Sequence, residues 1–110
     1  MGGVCLNEGC IPTKTLLYSA KMYENALNAE KYGVFGDNIR LDYSKMVSRK
    51  KKIVRKLVLG VESKMKSNKV EVVKGEAFIN SRSSEGIEIG CNGEKYVGRN
   101  LLICTGSEAS

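Results

Sequence analysis

Two cysteines near the start of the chain have a spacing suited to thiol–disulfide chemistry. Cys5 and Cys10 are separated by four residues, and Gly9 permits the sharp turn that would bring them close. Pro12 fits the first position of a helix, where its missing N–H costs nothing. The unpaired N–H groups at that helix start would favour a thiolate at Cys10. A disulfide closing so short a loop stabilises a fold little, so exchange is its more natural use.

Two other interpretations of these cysteines stay open on spacing alone. They could form half of a zinc site, although Cys91 and Cys104 occupy apolar, strand-like positions without the paired spacing of zinc ligands. They could also be unrelated buried thiols, although their loop is polar and glycine-rich. The chain contains no histidine, which removes the commonest general acid–base residue and every zinc–histidine ligand set.

Two amphipathic helices are predicted after the cysteine loop. The first runs from about Pro12 to Tyr32 and ends at Gly33. The second follows a cap at Asp42 and runs for about 25 residues. The apolar face of the first comprises Leu16, Ala20, Tyr23 and Leu27, and that of the second Met46, Val47, Ile53, Val54, Leu57, Val58, Val61 and Met65. Together they predict a two-helix hairpin.

The remainder of the chain changes to the alternation typical of strands. A three- or four-stranded antiparallel meander is predicted between Lys69 and Val97, with its best hairpin turn at Asn92-Gly93. The apolar run from Leu101 to Cys104 suits a strand buried on both faces of a parallel sheet, whose other strands this sequence does not provide. Four segments are expected: a redox-disulfide loop (1–11), a helical pair (12–68), a β-meander (69–98), and a Rossmann strand with its cofactor loop (100–107).

Composition and charge exclude several functions. The chain has 110 residues, enough for one modest domain, and its 42% hydrophobic and 27% charged residues are ordinary for a globular protein. We expect no membrane span and no signal peptide, hence a cytoplasmic protein. The net charge is +6, but Arg49, Lys50, Lys51, Lys52, Arg55 and Lys56 interleave with the apolar stripe of the second helix. They indicate a solvated helix face rather than a nucleic-acid site.

The cysteine segment closely resembles the redox-active segment of the pyridine nucleotide-disulfide oxidoreductases. The matching run is Gly2-Gly3-Val4-Cys5-Leu6-Asn7-Glu8-Gly9-Cys10-Ile11-Pro12-Thr13-Lys14. Its Leu6-Asn7 and Ile11-Pro12 pairs are similar to the branch that oxidises dihydrolipoamide, whereas the glutathione and mercuric reductase branches more often carry valines there. A second landmark, Leu102-Ile103-Cys104-Thr105-Gly106-Ser107-Glu108, has a cysteine where alanine is usual. The two landmarks lie at the family's usual separation, so the resemblance covers the chain.

The resemblance implies roles for individual residues. Cys5 matches the thiol that exchanges with the dithiol substrate, and Cys10 matches the thiolate that lies against the flavin. Lys14 matches a lysine near the flavin N5, where a cation stabilises negative charge. The other positions matching cofactor-binding residues are Gly2, Gly3, Val4, Cys5, Ala77, Thr105, Gly106 and Ser107. Ala77 stands where the family commonly has glycine. No metal site is implied.

The resemblance also implies what the whole protein would need. It would be an α/β enzyme that oxidises dihydrolipoamide with NAD through FAD and a Cys5–Cys10 disulfide. Its partners would be the lipoyl-bearing subunits of 2-oxoacid dehydrogenase or glycine cleavage complexes, and it would be a homodimer. The sequence has no Gly-x-Gly-x-x-Gly fingerprint, so we expect an internal, α+β piece of the FAD domain that is inactive alone. The alternatives are another disulfide reductase of the family or a purely structural, self-associating piece.

Overall fold

The computed structural model describes residues 1–107, which fall into two compact units. The helical unit is Met1–Asn68, and the sheet unit begins at Lys69. The helices are α1 (Gly3–Asn7), α2 (Cys10–Leu27) and α3 (Tyr43–Ser67), with a 3₁₀ turn at Ala29–Tyr32; the strands are β1 (Ala77–Arg82), β2 (Ile87–Cys91) and β3 (Glu94–Gly98). Helices followed by an antiparallel sheet confirm the predicted α+β class.

The first predicted helix ends in two steps. The α-helical part stops at Leu27, and a 3₁₀ turn carries the chain to Gly33. The Asn28 side chain donates to the Glu24 carbonyl at 2.9 Å. The same carbonyl accepts the Asn28 backbone N–H at 3.1 Å, so Asn28 caps the C-terminal end of α2 with both groups. Gly33, predicted as the stop, has a φ of 75° that glycine adopts without strain.

The second predicted helix is confirmed in place and length. Asp42 caps α3, because its carboxylate accepts a hydrogen bond from the Lys45 backbone N–H at 2.9 Å. α3 has 25 residues and packs against α2. Its predicted stripe is half-buried at Met46, Val47, Ile53, Val54, Val58, Val61 and Met65, while Leu57 is exposed.

The face that α2 buries is rotated from the predicted one. Leu16 and Tyr23 are half-buried as expected, whereas Ala20 and Leu27 are exposed. Thr15 is only 7% exposed instead. Its carbonyl accepts a hydrogen bond from the Arg49 guanidinium at 3.4 Å. The inward side of α2 therefore includes a polar residue, which apolar spacing does not reveal.

The sheet is a three-stranded meander in the order β1-β2-β3, antiparallel throughout. Asn92 and Gly93 have φ values of 53° and 81°, so the tight hairpin predicted there is confirmed. Asn80 is an extra residue in β1, opposite no partner in β2, and forms a bulge. The Tyr96 hydroxyl donates to the Glu94 carboxylate at 2.7 Å, which raises the pKa of Tyr96 to about 12.

Two predicted strand segments differ in the structure. The stretch 69–76 precedes β1 without forming a ladder, so the sheet has three strands, the smaller of the two predicted numbers. Residues 100–107 have no regular secondary structure, so the strand predicted at Leu101–Cys104 is not formed. Leu102 is 85% exposed. A strand exists only through hydrogen bonds to neighbours, and the apolar run has no paired strand within the described residues.

Little of the chain is deeply buried. Across residues 1–107, only Pro12, Thr15 and Cys91 reach the buried state, and no side chain is fully enclosed. Large apolar side chains such as Phe78 and Ile79 are about three-fifths exposed. Hydrophobic burial is therefore small in each unit. None of the described helices combines the length and apolar character needed to cross a membrane.

Candidate functional site

The cysteine segment forms a disulfide between Cys5 and Cys10, with their Cα atoms 4.7 Å apart. The segment predicted as a redox-disulfide loop contains a helical turn. Residues Gly3–Asn7 form the short helix α1, and at its C-terminal end the Val4 carbonyl accepts both the Glu8 N–H at 2.9 Å and the Gly9 N–H at 2.8 Å. This helical turn brings Cys5 close to Cys10, which is the first residue of α2.

Gly9 allows the two helices to meet. A Cβ added at this position would lie 3.3 Å from the Val4 carbonyl oxygen and 3.4 Å from the Cys5 Cα. Both neighbours are backbone, so neither can move aside cheaply. The Gly9 carbonyl then accepts the Thr13 N–H at 3.0 Å, which starts α2 directly after the disulfide. The glycine predicted to distort the turn is therefore confirmed as the point of close approach.

Asn7, between the two cysteines, ties α1 to the start of the chain. Its side-chain amide donates to the Gly3 carbonyl at 2.9 Å and to the Met1 carbonyl at 3.1 Å. These bonds fix the backbone on the side of α1 that precedes Cys5. In the sequence Asn7 was noted only as one residue of the family motif, and its hydrogen bonds to Gly3 and Met1 were not predicted. Its amide type was the available signal, since asparagine commonly bonds nearby carbonyls.

The disulfide is open to attack from solvent. Cys5 and Cys10 are both exposed. The other two cysteines are free thiols, Cys91 buried and Cys104 exposed. No group of three or more potential metal ligands occurs among the described residues. An exposed disulfide at the first residue of a helix is suited to thiol exchange, since the helix start stabilises the thiolate that leaves.

The remaining predicted site residues of the helical unit surround the disulfide in sequence. Gly2 and Gly3 have φ values of 104° and 65°, which glycine tolerates and other residues rarely adopt. Val4 is 51% exposed, and Lys14 is an exposed residue of α2 one turn after Cys10. All four positions are exposed.

Four predicted site residues belong to the sheet unit. Ala77 is the first residue of β1 and pairs with Cys91 in β2. Thr105, Gly106 and Ser107 are exposed and lack regular secondary structure, with a φ of 89° at Gly106. Glu108, the last residue of the second landmark, lies outside the described residues.

A shallow groove in the helical unit escaped the sequence analysis. It has a volume of about 390 Å³ and lies between Asn7 of the disulfide segment and one side of α3. Lys50, Lys51 and Arg55 line it. Periodicity placed these cations on a solvated helix face and could not show that the face adjoins the disulfide segment.

The chain is similar to several curated dihydrolipoyl dehydrogenases. A dihydrolipoyl dehydrogenase of Geobacillus stearothermophilus is 41% identical over 107 residues, which cover 97% of this chain and 23% of that protein. Two dihydrolipoyl dehydrogenases of Bacillus subtilis are 40% identical over 107 residues and 45% identical over 111 residues. The chain spans about a quarter of the length of these curated relatives.

The family-level comparison covers every residue. The model of the family described as "Pyridine nucleotide-disulphide oxidoreductase" matches residues 1–110. This agrees with the exposed Cys5–Cys10 disulfide at the start of α2. The chain belongs to the pyridine nucleotide-disulphide oxidoreductase family.

Proposed function

We propose that the whole protein oxidises dihydrolipoamide with NAD, and that the Cys5–Cys10 disulfide takes the electrons from the dithiol. The observation that carries this proposal is an exposed disulfide at the N-terminus of α2. The names of the similar proteins, dihydrolipoyl dehydrogenases, support this substrate over other thiols.

The exchange step balances as follows. One substrate thiolate attacks Cys5, the Cys5–Cys10 bond breaks, and Cys10 leaves as a thiolate. The second substrate thiolate attacks the sulfur joined to Cys5, which closes the substrate disulfide and frees the Cys5 thiolate. The substrate loses two electrons and its two thiol protons, and the protein disulfide gains the electrons. The start of α2 stabilises the negative charge at Cys10.

We propose that the redox segment also holds FAD. Gly2 and Gly3 present backbone without side chains at positive φ, and Val4 is half exposed, so a flat ring system could approach this backbone closely. Lys14 would supply a cation one turn along α2 from Cys10. FAD, when bound, would accept the electrons of the reduced cysteines and pass them to NAD. Ala77, Thr105, Gly106 and Ser107 are proposed as cofactor contacts on the family resemblance.

The first experiment measures exchange and turnover separately. The purified 110-residue chain is treated with dihydrolipoamide, and the new thiols are alkylated and counted by mass spectrometry. We expect Cys5 and Cys10 to become alkylated together, and Cys10→Ser to lose this reaction. Exchange with reduced glutathione but not with dihydrolipoamide would move the assignment to another reductase of the family.

Turnover is the second readout. We expect the 110-residue chain to be colourless and to form no NADH from dihydrolipoamide and NAD, because it has no Gly-x-Gly-x-x-Gly fingerprint. A visible flavin spectrum with a long-wavelength shoulder on reduction would contradict this expectation. It would show that the redox segment and its neighbours bind FAD without further sequence.

The partners and location follow from the same proposal. The dithiol would reach the disulfide on lipoyl-bearing subunits of 2-oxoacid dehydrogenase or glycine cleavage complexes. The whole protein would act as a cytoplasmic homodimer. Co-purification of the whole protein with a lipoylated subunit tests the partner, and sedimentation analysis of the protein's mass tests the homodimer.

A further inference from the structure

The groove between the disulfide segment and α3 carries an unbalanced charge. Lys50, Lys51 and Arg55 line it, against a single carboxylate from Glu62. Within residues 1–107 the ion pairs join Lys45 with Asp42 and Lys95 with Glu88, so the three groove cations are not paired there. Three neighbouring cations on one helix repel each other and concentrate anions from solution.

The groove also has apolar surface and includes one residue of the disulfide segment. Val54 and Val58 are half-buried lining residues, and Leu59 is 52% exposed. Asn7 completes the lining, and it lies between Cys5 and Cys10 in the chain. A ligand held by the cations and the apolar floor would therefore contact the segment that carries the disulfide.

We propose that this groove docks an acidic polypeptide segment that carries the dithiol substrate, with its carboxylates on Lys50, Lys51 and Arg55. The inference rests on the proposed dithiol–disulfide exchange and adds a determinant of which dithiols react. A polypeptide fits better than a nucleic acid for two reasons. The valines and the leucine on the floor of the groove can pack against apolar side chains of a bound peptide. The groove has no aromatic lining residue on which a base could stack. Charge complementarity chiefly raises the rate of encounter.

The test compares two peptides that differ only in charge. Each carries one dihydrolipoyl-lysine, flanked by glutamates in one peptide and by glutamines in the other. The rate at which each reduces Cys5–Cys10 in the 110-residue chain is followed by alkylation and mass spectrometry. We expect the acidic peptide to react about tenfold faster at low ionic strength, and the difference to shrink at high salt.

Matched variants locate the effect in the groove. Lys50→Gln/Lys51→Gln should bring the two peptide rates to within about twofold of each other, since two of the three cations that line the groove are removed. Lys64→Gln/Lys66→Gln removes the same charge from the last turn of α3, outside the groove, and should keep the preference. Glutamine is a good helix former, and circular dichroism verifies that both variants fold.

Three outcomes would overturn the proposal. Equal rates for the two peptides with the unaltered chain would show that the groove does not select charge. Equal loss of preference in both variants would reduce the effect to net charge. Stronger inhibition by a thymidine oligonucleotide than by a cysteine-free acidic peptide would assign the groove to nucleic acid. Failure of both peptides and of free dihydrolipoamide to reduce the disulfide would instead remove the proposed function, and this inference with it.

Discussion

The helical unit and the sheet unit reach their structures by different means. In the helical unit, the decisive contacts lie within a few residues, such as Val4 with Gly9 and Asp42 with Lys45. In the sheet unit, glycines let distant backbone segments approach closely, as at Gly86 beside Gly98. The reactive disulfide belongs to the locally determined unit. Its geometry therefore depends on a short stretch of sequence rather than on a deep core.

The two units also differ in how their apolar residues are covered. The predicted stripe of α3 is mostly half-buried, whereas every residue of β1 is exposed. An exposed strand retains its shape through ladder hydrogen bonds and turn geometry. We therefore expect backbone substitutions to affect the sheet unit strongly and capping substitutions to affect the helical unit moderately.

The largest effect is expected for Gly86→Ala. The added Cβ would lie 2.6 Å from the Gly98 carbonyl oxygen, and Gly86 has a φ of 143°, which alanine rarely adopts. Backbone strain and the steric clash should each cost on the order of 1–3 kcal/mol. Hydrogen exchange measured by NMR should show the amides of β2 and β3 losing protection while those of α3 keep theirs.

Gly60→Ala is the matched control in the helical unit. An added Cβ there meets nothing within 4 Å, and Gly60 lies inside α3. Alanine should stabilise this helix by about 0.5–1 kcal/mol, since glycine is a poor helix former. If the two alanine variants shifted stability in the same direction, the contrast between the units would fail.

Asp42→Ala should have a moderate effect. The substitution removes the acceptor of the Lys45 N–H at the start of α3 and should cost about 1 kcal/mol. Far-UV circular dichroism during urea unfolding measures the loss. Asp37→Ala removes the same charge from a bend before the helix and makes the control. An equal loss in both variants would mean that charge, and not the cap, accounts for the change.

Local signals in the sequence predicted the elements well where a single residue type determines the geometry. The Asp42 cap, the Gly33 stop and the Asn92-Gly93 hairpin were all readable, because few residues satisfy those positions. The short helix α1 was not predicted as a separate element, since its five residues are too few to show a helical periodicity. The run from Leu101 was predicted as a strand from its composition, but strand formation requires a partner.

The candidate site likewise has features that the sequence indicated and features that it did not. Spacing alone left the use of Cys5 and Cys10 open among exchange, zinc binding and simple burial. Their disulfide and exposure favour exchange, and the family comparison agrees. The cationic groove was not predictable, because the proximity of Asn7 to Lys50 and Arg55 depends on how α1 meets α3. Roles at Ala77 and Thr105–Ser107 stay predictions.

The smallest expected effect is a pH dependence of the sheet unit at Glu88. The Asn80 amide donates to this carboxylate at 3.0 Å and the Lys95 ammonium lies 3.2 Å away, which lowers the pKa of Glu88. A lowered pKa means that the folded sheet favours the ionised form. The resulting stability is present above the pKa of an unfolded glutamate and is lost as pH falls through the folded value.

Glu88→Gln should therefore flatten the acid side of the unfolding profile, whereas Glu85→Gln, in the neighbouring turn, should leave it unchanged. High salt should weaken the dependence, because the pair with Lys95 faces solvent. An unfolding profile that stays equally steep in Glu88→Gln would place the acid sensitivity elsewhere. It would show that the Glu88 carboxylate does not stabilise the pairing of β1 with β2.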